Sequence, residues 1–380
     1  MYNELKNSHI GEKAKGLITM KTITKSLNIN LDISKYFKHI KNHEVLFFDI
    51  ETTGFTADRS NLYLIGYIYN KNGTWIFSQF FAEKYSDEWE VLECFFELCK
   101  DFVYTVHFNG DTFDTPYILK KSLIHNLDSI KFKNLQSVDL YKIIKKYKNI
   151  FNLENLKQKS LEKFLGIHRT DKFTGGELIE QYKTYVKNPN PPLERNLLLH
   201  NEEDLYGMLD LLRIVDYTNF ISSVKTLQGD SITNIRIKDL GFKILLTSPV
   251  PSPFDLTLNN GTWTIIFKAS SNEILINIEI LSDTLMHFFK DYKNYYYIAE
   301  KDEAIHKSVG KYVDTSKKVP ANKENCYIKK SGDFIETFVT ISDIQVFKKG
   351  TLSKSQYIHI KQNQINKELI LKNVVKILDK

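Results

Sequence analysis

The chain has few cysteines and no long apolar run. Its three cysteines, Cys94, Cys99 and Cys326, are too few and too scattered for a disulfide framework or a zinc site. No stretch approaches the ~18 consecutive apolar residues that a membrane span needs. Residues 1–25 are polar and contain no apolar segment followed by a small-residue cleavage site. These absences predict a globular protein of the cytoplasm with no membrane partner.

Length and composition indicate a chain that folds and carries an uneven charge. The 380 residues are enough for two domains, and 42% of them are hydrophobic, so the chain can bury a core. Residues 1–40 carry 7 basic and 3 acidic side chains, residues 41–220 carry 22 and 26, and residues 221–380 carry 23 and 17. An acidic middle between basic ends is expected if the middle gathers cations and the ends meet a polyanion. Drift within a lysine-rich composition would give the same division.

The middle of the chain has the pattern of an α/β fold. Residues 44–50, 62–69 and 74–81 have the composition of buried strands, and Asn72-Gly73 between the last two is typical of a hairpin turn. Helical stripes alternate with further short strands after this meander. We therefore expect a mixed sheet of about five strands flanked by helices.

A change in composition near residue 221 divides the chain. We expect a leader at residues 1–42, the mixed α/β domain at residues 43–220, and a smaller α+β domain, basic and rich in aromatics, at residues 221–380.

Two acidic residues stand at the end of the first predicted strand. Asp49 and Glu51 follow four apolar residues, and in an extended chain residues i and i+2 point to the same face. Two carboxylates on one face repel each other unless a cation lies between them. The sequence therefore predicts a cation site at this strand end.

Two further acidic segments come later in the chain. Asp114 follows another predicted strand, and His200 and Asp204 lie four residues apart in a predicted helix, about one turn apart on one face. Four carboxylates from three segments, with a histidine beside the last, suit two divalent ions that bridge a scissile phosphate. Oxygen ligands favour Mg²⁺ or Mn²⁺, and two such ions ~4 Å apart can activate a water and stabilise the leaving oxygen.

Three motifs in this order carry a family resemblance. Phe-Phe-Asp49-Ile-Glu51-Thr-Thr-Gly resembles the first motif of DEDD (DnaQ-like) 3′–5′ exonucleases of the ribonuclease H-like superfamily. Phe108-Asn109-Gly110-x-x-Phe113-Asp114 resembles their second motif, and His200-x-x-x-Asp204 resembles their third. The branch that the chain resembles most is that of the YprB-type predicted exonucleases, which it also resembles at residues 138–140 and 160–167. The resemblance covers roughly residues 43–216.

The resemblance implies a ribonuclease H-like fold and an exonuclease that cuts DNA or RNA from a 3′ end by a two-metal mechanism. The metal ligands that it implies are Asp49, Glu51, Asp114 and Asp204. His200 would orient or deprotonate the attacking water, and Thr52 and Asn109 would contact the substrate. A single strand or a frayed 3′ end is the expected partner, because stacked duplex cannot reach such metals.

His200 departs from the family pattern. The histidine subclass has its histidine five residues before the last aspartate, and the tyrosine subclass has a tyrosine four residues before it. Here a histidine stands at the tyrosine spacing. The general-base role of His200 is therefore open, whereas the four carboxylates are unaffected.

Simpler explanations exist for the same residues. Asp49 and Glu51 could form an exposed strand end, and Asp114 could merely cap the helix that follows it. Asp204 could lie on a solvated helix surface beside two other acids.

Other functions are also compatible with the sequence. One alternative is a catalytically weak nucleic-acid-binding module whose acidic site is vestigial or structural. A polymerase fragment is disfavoured because the ~160 residues after the boundary are too few for a polymerase body. An integrase- or resolvase-type relative would not normally have its first-strand acids grouped as Asp-x-Glu.

The last domain is less informative. Between residues 287 and 311, aromatic residues alternate with lysines and could offer stacking faces and phosphate contacts to a single strand. They could equally form a β-structure core from which lysines extend to solvent. Nothing in the sequence identifies a protein partner.

Overall fold

A computed structural model describes residues 20–238, 241–341, 344–360 and 365–379. Residues 1–19, which begin the expected leader, lie outside these ranges. The chain divides into two compact units, Met1–Thr218 and Asn219–Lys380. Among the residues of these ranges, no helix is both long and apolar enough to cross a membrane.

The first unit contains a six-stranded mixed sheet. Its strands are β1 (Lys21–Leu27), β2 (Val45–Thr52), β3 (Leu62–Lys71), β4 (Thr74–Phe81), β5 (Tyr104–His107) and β6 (Gln136–Asp139). Their order across the sheet is β1-β4-β3-β2-β5-β6. The pairs from β1 to β2 are antiparallel, and the pairs β2–β5 and β5–β6 are parallel.

Helices flank this sheet. They are α1 (Glu88–Leu98), α2 (Asp114–His125), α3 (Ile130–Lys133), α4 (Leu140–Lys145), α5 (Gln158–Phe164), α6 (Gly175–Lys187) and α7 (Pro191–Val224). The predicted α/β class, a mixed sheet flanked by helices, is thereby confirmed.

The predicted hairpin between β3 and β4 is present. Asn72 and Gly73 form its two-residue turn, with φ of 52° and 86°. Positive φ at both positions matches the right-handed twist of the flanking strands, and Asn and Gly adopt it at least cost. The turn sets the register of β3 and β4 and so fixes the meander that contains β2.

Strand β1 was not predicted from the sequence. It pairs with β4 at the sheet edge, and only Leu27 of its seven residues is buried. Lys21 and Lys25 lie on its partly buried face and bind Glu194 and Glu202 of α7. A half-exposed edge strand made of Lys, Thr and Ser lacks the apolar run by which a buried strand is recognised. Residues 21–27 therefore belong to the sheet rather than to a simple leader.

Strand β2 is anchored in the core. Its four residues before Asp49 are fully buried. The ring of Phe48 packs against Phe95 of α1 and Phe132 of α3, with centroids 5.5 and 5.8 Å apart. This packing fixes the strand that carries Asp49 and Glu51.

The second unit consists mainly of antiparallel strands. Its five-stranded sheet contains β7 (Ile232–Lys238), β8 (Gly241–Thr247), β11 (Glu273–Glu279), β10 (Trp263–Phe267) and β9 (Leu256–Asn260), in that order. A four-stranded sheet contains β12 (Leu281–Phe288), β16 (Tyr327–Thr337), β18 (Gln356–His359) and β17 (Val346–Phe347). A three-stranded sheet contains β14 (Glu303–His306), β13 (Tyr295–Ile298) and β15 (Val319–Pro320). The helices are α8 (Lys307–Gly310) and α9 (Lys367–Leu378).

Several aromatics of the lysine-rich segment pack in a small core. Phe289 stacks on Tyr295 with ring centroids 4.5 Å apart, and both border a cluster around Cys326. Tyr296 lies under the ammonium groups of Lys307 and Lys318, at 5.4 and 5.1 Å. For these side chains the structure favours packing over free stacking faces.

Candidate active site

Strand β2 carries the first two predicted site residues. Asp49 and Glu51 alternate with Ile50 and therefore share one face of the strand. The register with β3 shifts between Glu51 and Thr52, where regular pairing ends. Both carboxylates thus project from the end of a buried strand in the interior of the sheet, between β3 and β5.

A buried amide from α7 holds the Asp49 carboxylate. Asn201 is fully buried, and its Nδ2 donates to Asp49 Oδ2 at 2.8 Å and to the Asp49 carbonyl at 3.3 Å. Its Oδ1 accepts a hydrogen bond from Gln79 Nε2 at 2.9 Å. Gly66 leaves room for this amide, because a Cβ there would lie 1.9 Å from Asn201 Oδ1. Sequence analysis did not identify Asn201, although it stands inside the third motif.

Asp114 is the first residue of α2 and approaches β2. Its Oδ1 accepts a hydrogen bond from the Ile50 N–H at 3.3 Å, and the residue is buried. A helix N-terminus favours a negative charge at this position. The bond places Asp114 beside the strand segment between Asp49 and Glu51.

Helix α7 brings His200 and Asp204 to the first motif. The Nε2 atom of His200 lies 3.5 Å from Asp204 Oδ2 and 3.9 Å from Glu51 Oε1. The ligand atoms of these three residues all lie within 4.8 Å of one another. The first and third predicted motifs are therefore adjacent in space.

Asp171, in the loop between α5 and α6, binds the other nitrogen of His200. Its Oδ2 lies 2.6 Å from His200 Nδ1 and also accepts from Lys159 Nζ at 2.8 Å. Its Oδ1 accepts from the Phe173 N–H at 2.9 Å. Burial would raise the pKa of Asp171, but the hydrogen bonds outweigh burial and lower that pKa, so Asp171 is an ionised acceptor. Sequence analysis missed Asp171, which stands 29 residues before its partner.

Arg169, from the same loop, binds the second oxygen of Asp204. Its NH1 donates to Asp204 Oδ1 at 2.6 Å, and its Nε and NH2 donate to Glu162 of α5. Glu162 is 1% exposed, so the pair is buried. Gln158 Nε2 donates to Glu162 Oε1 at 3.1 Å and to the Asp204 carbonyl at 2.7 Å. One Asp204 oxygen is thus paired with Arg169, and the other faces His200.

Asp49, Glu51 and Asp114 have raised pKa values. Burial raises the pKa of Asp49 well above its usual value, and the charges of Asp204 and Asp114 raise it further. Burial followed by the same two charges raises the pKa of Glu51 well above its usual value. Burial also raises the pKa of Asp114 to about 7, although hydrogen bonds from backbone N–H groups partly offset it. These groups resist simultaneous ionisation, and a cation among them would favour it.

Thr52 and Asn109, the expected substrate contacts, make local hydrogen bonds. Thr52 follows Glu51, and its Oγ1 donates to the Gly54 carbonyl at 2.9 Å. Asn109 lies between β5 and α2 with φ of 61°, a left-handed conformation that Asn tolerates. Its N–H donates to Asp139 Oδ1 at 2.9 Å, and its Oδ1 accepts from Thr112 Oγ1 at 2.9 Å. A substrate-binding role for either residue stays a prediction.

A second histidine–carboxylate group lies near the loop after β5. His107, Asp111 and Asp139 also place their ligand atoms within 4.8 Å of one another. The two nitrogens of His107 already have partners, with the Gly110 N–H donating to Nδ1 at 3.1 Å and Ser137 Oγ 2.9 Å from Nε2.

Part of the chain is similar to a known protein family. Residues 46–216, a little under half of the chain, match a family model described as RNase_H superfamily. No curated protein sequence matches the chain.

The chain is similar to many solved structures at low identity, and two of them serve as examples. One is the family B DNA polymerase of the hyperthermophilic archaeon Pyrobaculum calidifontis, at 16% identity over 66% of this chain and 35% of that chain, with a TM-score of 0.37. The other is E. coli exonuclease I in complex with a dT13 oligonucleotide, at 10% identity over 58% of this chain and 54% of that chain, with a TM-score of 0.31. The matches thus span about a third and about half of the lengths of these two proteins.

The family match begins within β2 and ends within α7, so it includes the strand and the helix that carry the first and third acidic motifs. The six-stranded mixed sheet with flanking helices is consistent with a ribonuclease H-like fold. Residues 46–216 are therefore similar to domains of the RNase_H superfamily.

Proposed function

We propose that the protein is a divalent-metal-dependent nuclease that hydrolyses phosphodiester bonds of DNA or RNA, acting as a 3′–5′ exonuclease of the DEDD type. The observation that carries this proposal is the cluster of Glu51, His200 and Asp204, whose ligand atoms lie within 4.8 Å of one another. Asp49 lies on the same face of β2 as Glu51, and Asp114 bonds to the strand residue between them. The match of residues 46–216 to the RNase_H superfamily supports nuclease chemistry. The 3′–5′ direction and the closeness to the YprB-type branch rest on the motif resemblance.

The donor set fits two Mg²⁺ or Mn²⁺ ions. Carboxylate oxygens are the ligands that these hard cations prefer, and their mutual repulsion is what bound cations would relieve. The residues that would hold the ions are Asp49, Glu51, Asp114 and Asp204. When bound, such ions lower the pKa of a water and neutralise charge that develops on the phosphate.

The chain's own residues hold these carboxylates in place. Asn201 fixes the Asp49 carboxylate, and Arg169 restrains one oxygen of Asp204. His200 completes the proposed site, because its Nε2 faces Glu51 and Asp204, where an attacking water or an ion would contact it.

The proposed substrate is a single strand or a frayed 3′ end. Asp114 and His200 are 7% and 8% exposed, so a phosphate must enter a recess to reach them. An unpaired strand end can do so more easily than the side of a stacked duplex. The surplus of 23 basic over 17 acidic residues in residues 221–380 is compatible with a polyanionic partner.

A labelled-substrate gel tests the proposal. Single- and double-stranded DNA and RNA, labelled at the 5′ end, are incubated with the full chain in Mg²⁺, in Mn²⁺ or in EDTA. We expect a metal-dependent ladder that shortens from the 3′ end, and a 3′-phosphorothioate cap on the substrate should suppress it. The ladder should be absent with Asp49→Asn and unchanged with Asp101→Asn, a matched change at an exposed aspartate.

Two outcomes contradict the proposal. Equal cleavage by wild type and Asp49→Asn would assign the activity to a contaminant. If both proteins bind the strands equally and neither cuts them in any metal, the chain is a nucleic-acid-binding module with a structural acidic site, the alternative function. Shortening from the 5′ end would retain the nuclease and reject the polarity.

A further inference from the structure

The orientation of His200 is fixed from one side. Its Nδ1 lies 2.6 Å from Asp171 Oδ2, and both oxygens of that carboxylate accept hydrogen bonds, one from Lys159 Nζ and the other from the Phe173 N–H. Nδ1 therefore carries a proton and donates it to Asp171. Because Lys159 and the Phe173 N–H hold the Asp171 carboxylate, the acceptor of this proton is itself fixed in position.

This orientation aims the other nitrogen at two carboxylates. In a neutral imidazole whose Nδ1 is protonated, Nε2 presents a lone pair. That atom lies 3.5 Å from Asp204 Oδ2 and 3.9 Å from Glu51 Oε1, and it makes no closer polar contact within the described ranges. A lone pair that faces two carboxylate oxygens is unfavourable, and a cation among the three atoms would relieve the repulsion.

The spacing of the three atoms suits one ion. Ligand atoms about 2.1 Å from a shared ion lie about 3.0 to 4.2 Å from each other, and both measured spacings fall within this interval. His200 and Asp204 are one helical turn apart on α7, the i, i+4 arrangement by which one helix supplies two ligands to one metal. At this spacing the chain departs from both subclasses of the family that it resembles, because a histidine stands where the tyrosine subclass has its tyrosine.

We infer that Nε2 of His200 is a direct ligand of a divalent ion shared with Glu51 and Asp204, and that Asp171 is the positioning residue that fixes the ring for this role. The inference rests on the proposed function, because the ion is one of the two proposed there. It replaces the water-directed role that the resemblance implies for His200. A ring nitrogen backed by a carboxylate is a common arrangement in protein metal sites.

A nitrogen ligand changes which metal the site prefers. Both ions prefer oxygen ligands, but Mg²⁺ takes them almost exclusively. Mn²⁺ is a transition-metal ion and accepts an imidazole nitrogen more readily than Mg²⁺ does. The site should therefore bind Mn²⁺ more tightly than Mg²⁺, and the preference should depend on His200.

The test measures metal binding by the full chain without requiring activity. Mn²⁺ is added to protein labelled with ¹⁵N only at histidine, and electron spin echo envelope modulation detects nitrogen coupled to the ion. We expect a histidine nitrogen coupling in wild type, its loss in His200→Gln, and its retention in His43→Gln, a matched change at an exposed histidine.

Affinities from calorimetry complete the test. Asp171→Asn should weaken Mn²⁺ binding by about 10- to 100-fold, as loss of a carboxylate behind a metal-binding histidine does elsewhere, and should weaken Mg²⁺ binding less. His200→Gln should weaken Mn²⁺ binding by at least as much. Thermal unfolding of each variant in EDTA checks that the fold is retained.

Three results overturn the inference. They are a wild-type Mn²⁺ complex without histidine coupling, wild-type Mn²⁺ affinity in His200→Gln, and failure of the wild type to bind Mn²⁺. Failure of the proposed function is a separate result. Histidine coupling without cleavage of any strand would reject the nuclease function and retain His200 as a metal ligand. Cleavage without histidine coupling would retain the nuclease function and reject His200 as a metal ligand.

Discussion

Two histidine–carboxylate groups in the first unit have nearly the same composition and differ in how many donor and acceptor atoms the protein itself satisfies. In the group after β5, Asp111 accepts from Ser137 Oγ and from Lys142 Nζ, both at 2.6 Å, and both nitrogens of His107 have partners. Asp139 accepts from two backbone N–H groups through one oxygen, and its other oxygen has no partner within the described residues.

In the group around His200, the atoms that point away from the centre of the group have hydrogen-bond partners in the protein. Asp171 binds Nδ1 of His200 and Arg169 binds one oxygen of Asp204, which leaves Nε2, the other Asp204 oxygen and Glu51 facing one another. We call the first group closed, because Asp139 Oδ2 is the one ligand atom in it without a partner among the described residues, and we call the second group open, because ligand atoms of three residues face one another in it. Proximity of ligand-type residues therefore distinguishes a candidate site less well than the direction in which their hydrogen bonds point.

The largest effect should come from neutralising one carboxylate of the open group. We expect Glu51→Gln to lower the rate of strand cleavage by about 10⁴-fold, equivalent to about 5 kcal/mol, because the amide cannot neutralise a bound cation. The measurement is single-turnover cleavage of an end-labelled strand.

Asp111→Asn is the matched change in the closed group, and it should alter that rate by no more than about 3-fold, equivalent to about 0.6 kcal/mol. If both variants lose cleavage rate to a similar extent, the two groups do not differ in function.

The second largest effect concerns the ion pairs beside the two groups, which should differ in how much they contribute to the free energy of unfolding. Arg169→Ala leaves Glu162 and Asp204 as buried or half-buried carboxylates without their partner, and we expect a loss of about 3 to 5 kcal/mol in the free energy of unfolding. Lys142→Ala removes a side chain that is 58% exposed from Asp111, and surface pairs of this kind contribute about 0 to 1 kcal/mol. Urea unfolding of both variants in EDTA measures the difference, and equal losses would contradict it.

Asp114, beside the open group, and Asp111, in the closed group, should make the free energy of unfolding depend on pH with opposite signs. The pKa of Asp114 is about 7 in the folded protein and 3.8 ordinarily. Between these values the folded state binds more protons than the unfolded state, so the free energy of unfolding falls as pH rises. At about 1.4 kcal/mol per pKa unit, this group accounts for a fall of up to about 4 kcal/mol.

Asp111 behaves in the opposite way. Burial would raise its pKa, but hydrogen bonds from Lys142 and Ser137 lower it below 3.8, so its contribution is present above that pH and is lost as pH falls. Unfolding in EDTA between pH 4 and 8 should show the fall in wild type and in Asp111→Asn, and a flatter curve in Asp114→Asn. Saturating Mn²⁺ should remove the fall, and a wild-type curve that rises over this range would contradict the assignment.

The sequence predicted the clustered carboxylates better than it predicted the residues that hold them in position. Asp49, Glu51 and Asp204 belong to strand and helix patterns whose periodicity shows which residues share a face, and the hairpin at Asn72-Gly73 is encoded within a few residues. Such local patterns were sufficient to predict the mixed sheet.

The residues that hold the site open were not predictable in this way. Arg169 and Asp171 lie in an irregular loop and meet α7 only through tertiary contacts 35 and 29 residues away in sequence. Helix α6 has a local sequence signal, the capping box formed by Thr174 and Glu177. For Arg169 and Asp171 the sequence contains no local equivalent.

The smallest predicted effect concerns the glycine beneath Asp49. In Gly66→Ala the new Cβ would lie 1.9 Å from Asn201 Oδ1 and 2.6 Å from Leu205 Cδ1, so the amide that holds Asp49 must move. Overpacking of this kind costs about 1 to 3 kcal/mol, measured by urea unfolding. Metal affinity should fall together with stability, because the Asp49 carboxylate loses the donor that orients it.

Gly175→Ala is the matched control for this change. A Cβ at Gly175 meets nothing within 4 Å, and the residue begins α6, so alanine there should be neutral or stabilise the protein by up to about 1 kcal/mol. If Gly66→Ala destabilises the protein but leaves metal affinity unchanged, Asn201 packs the core without positioning Asp49. The open group would then depend on Arg169 and Asp171 alone for its geometry.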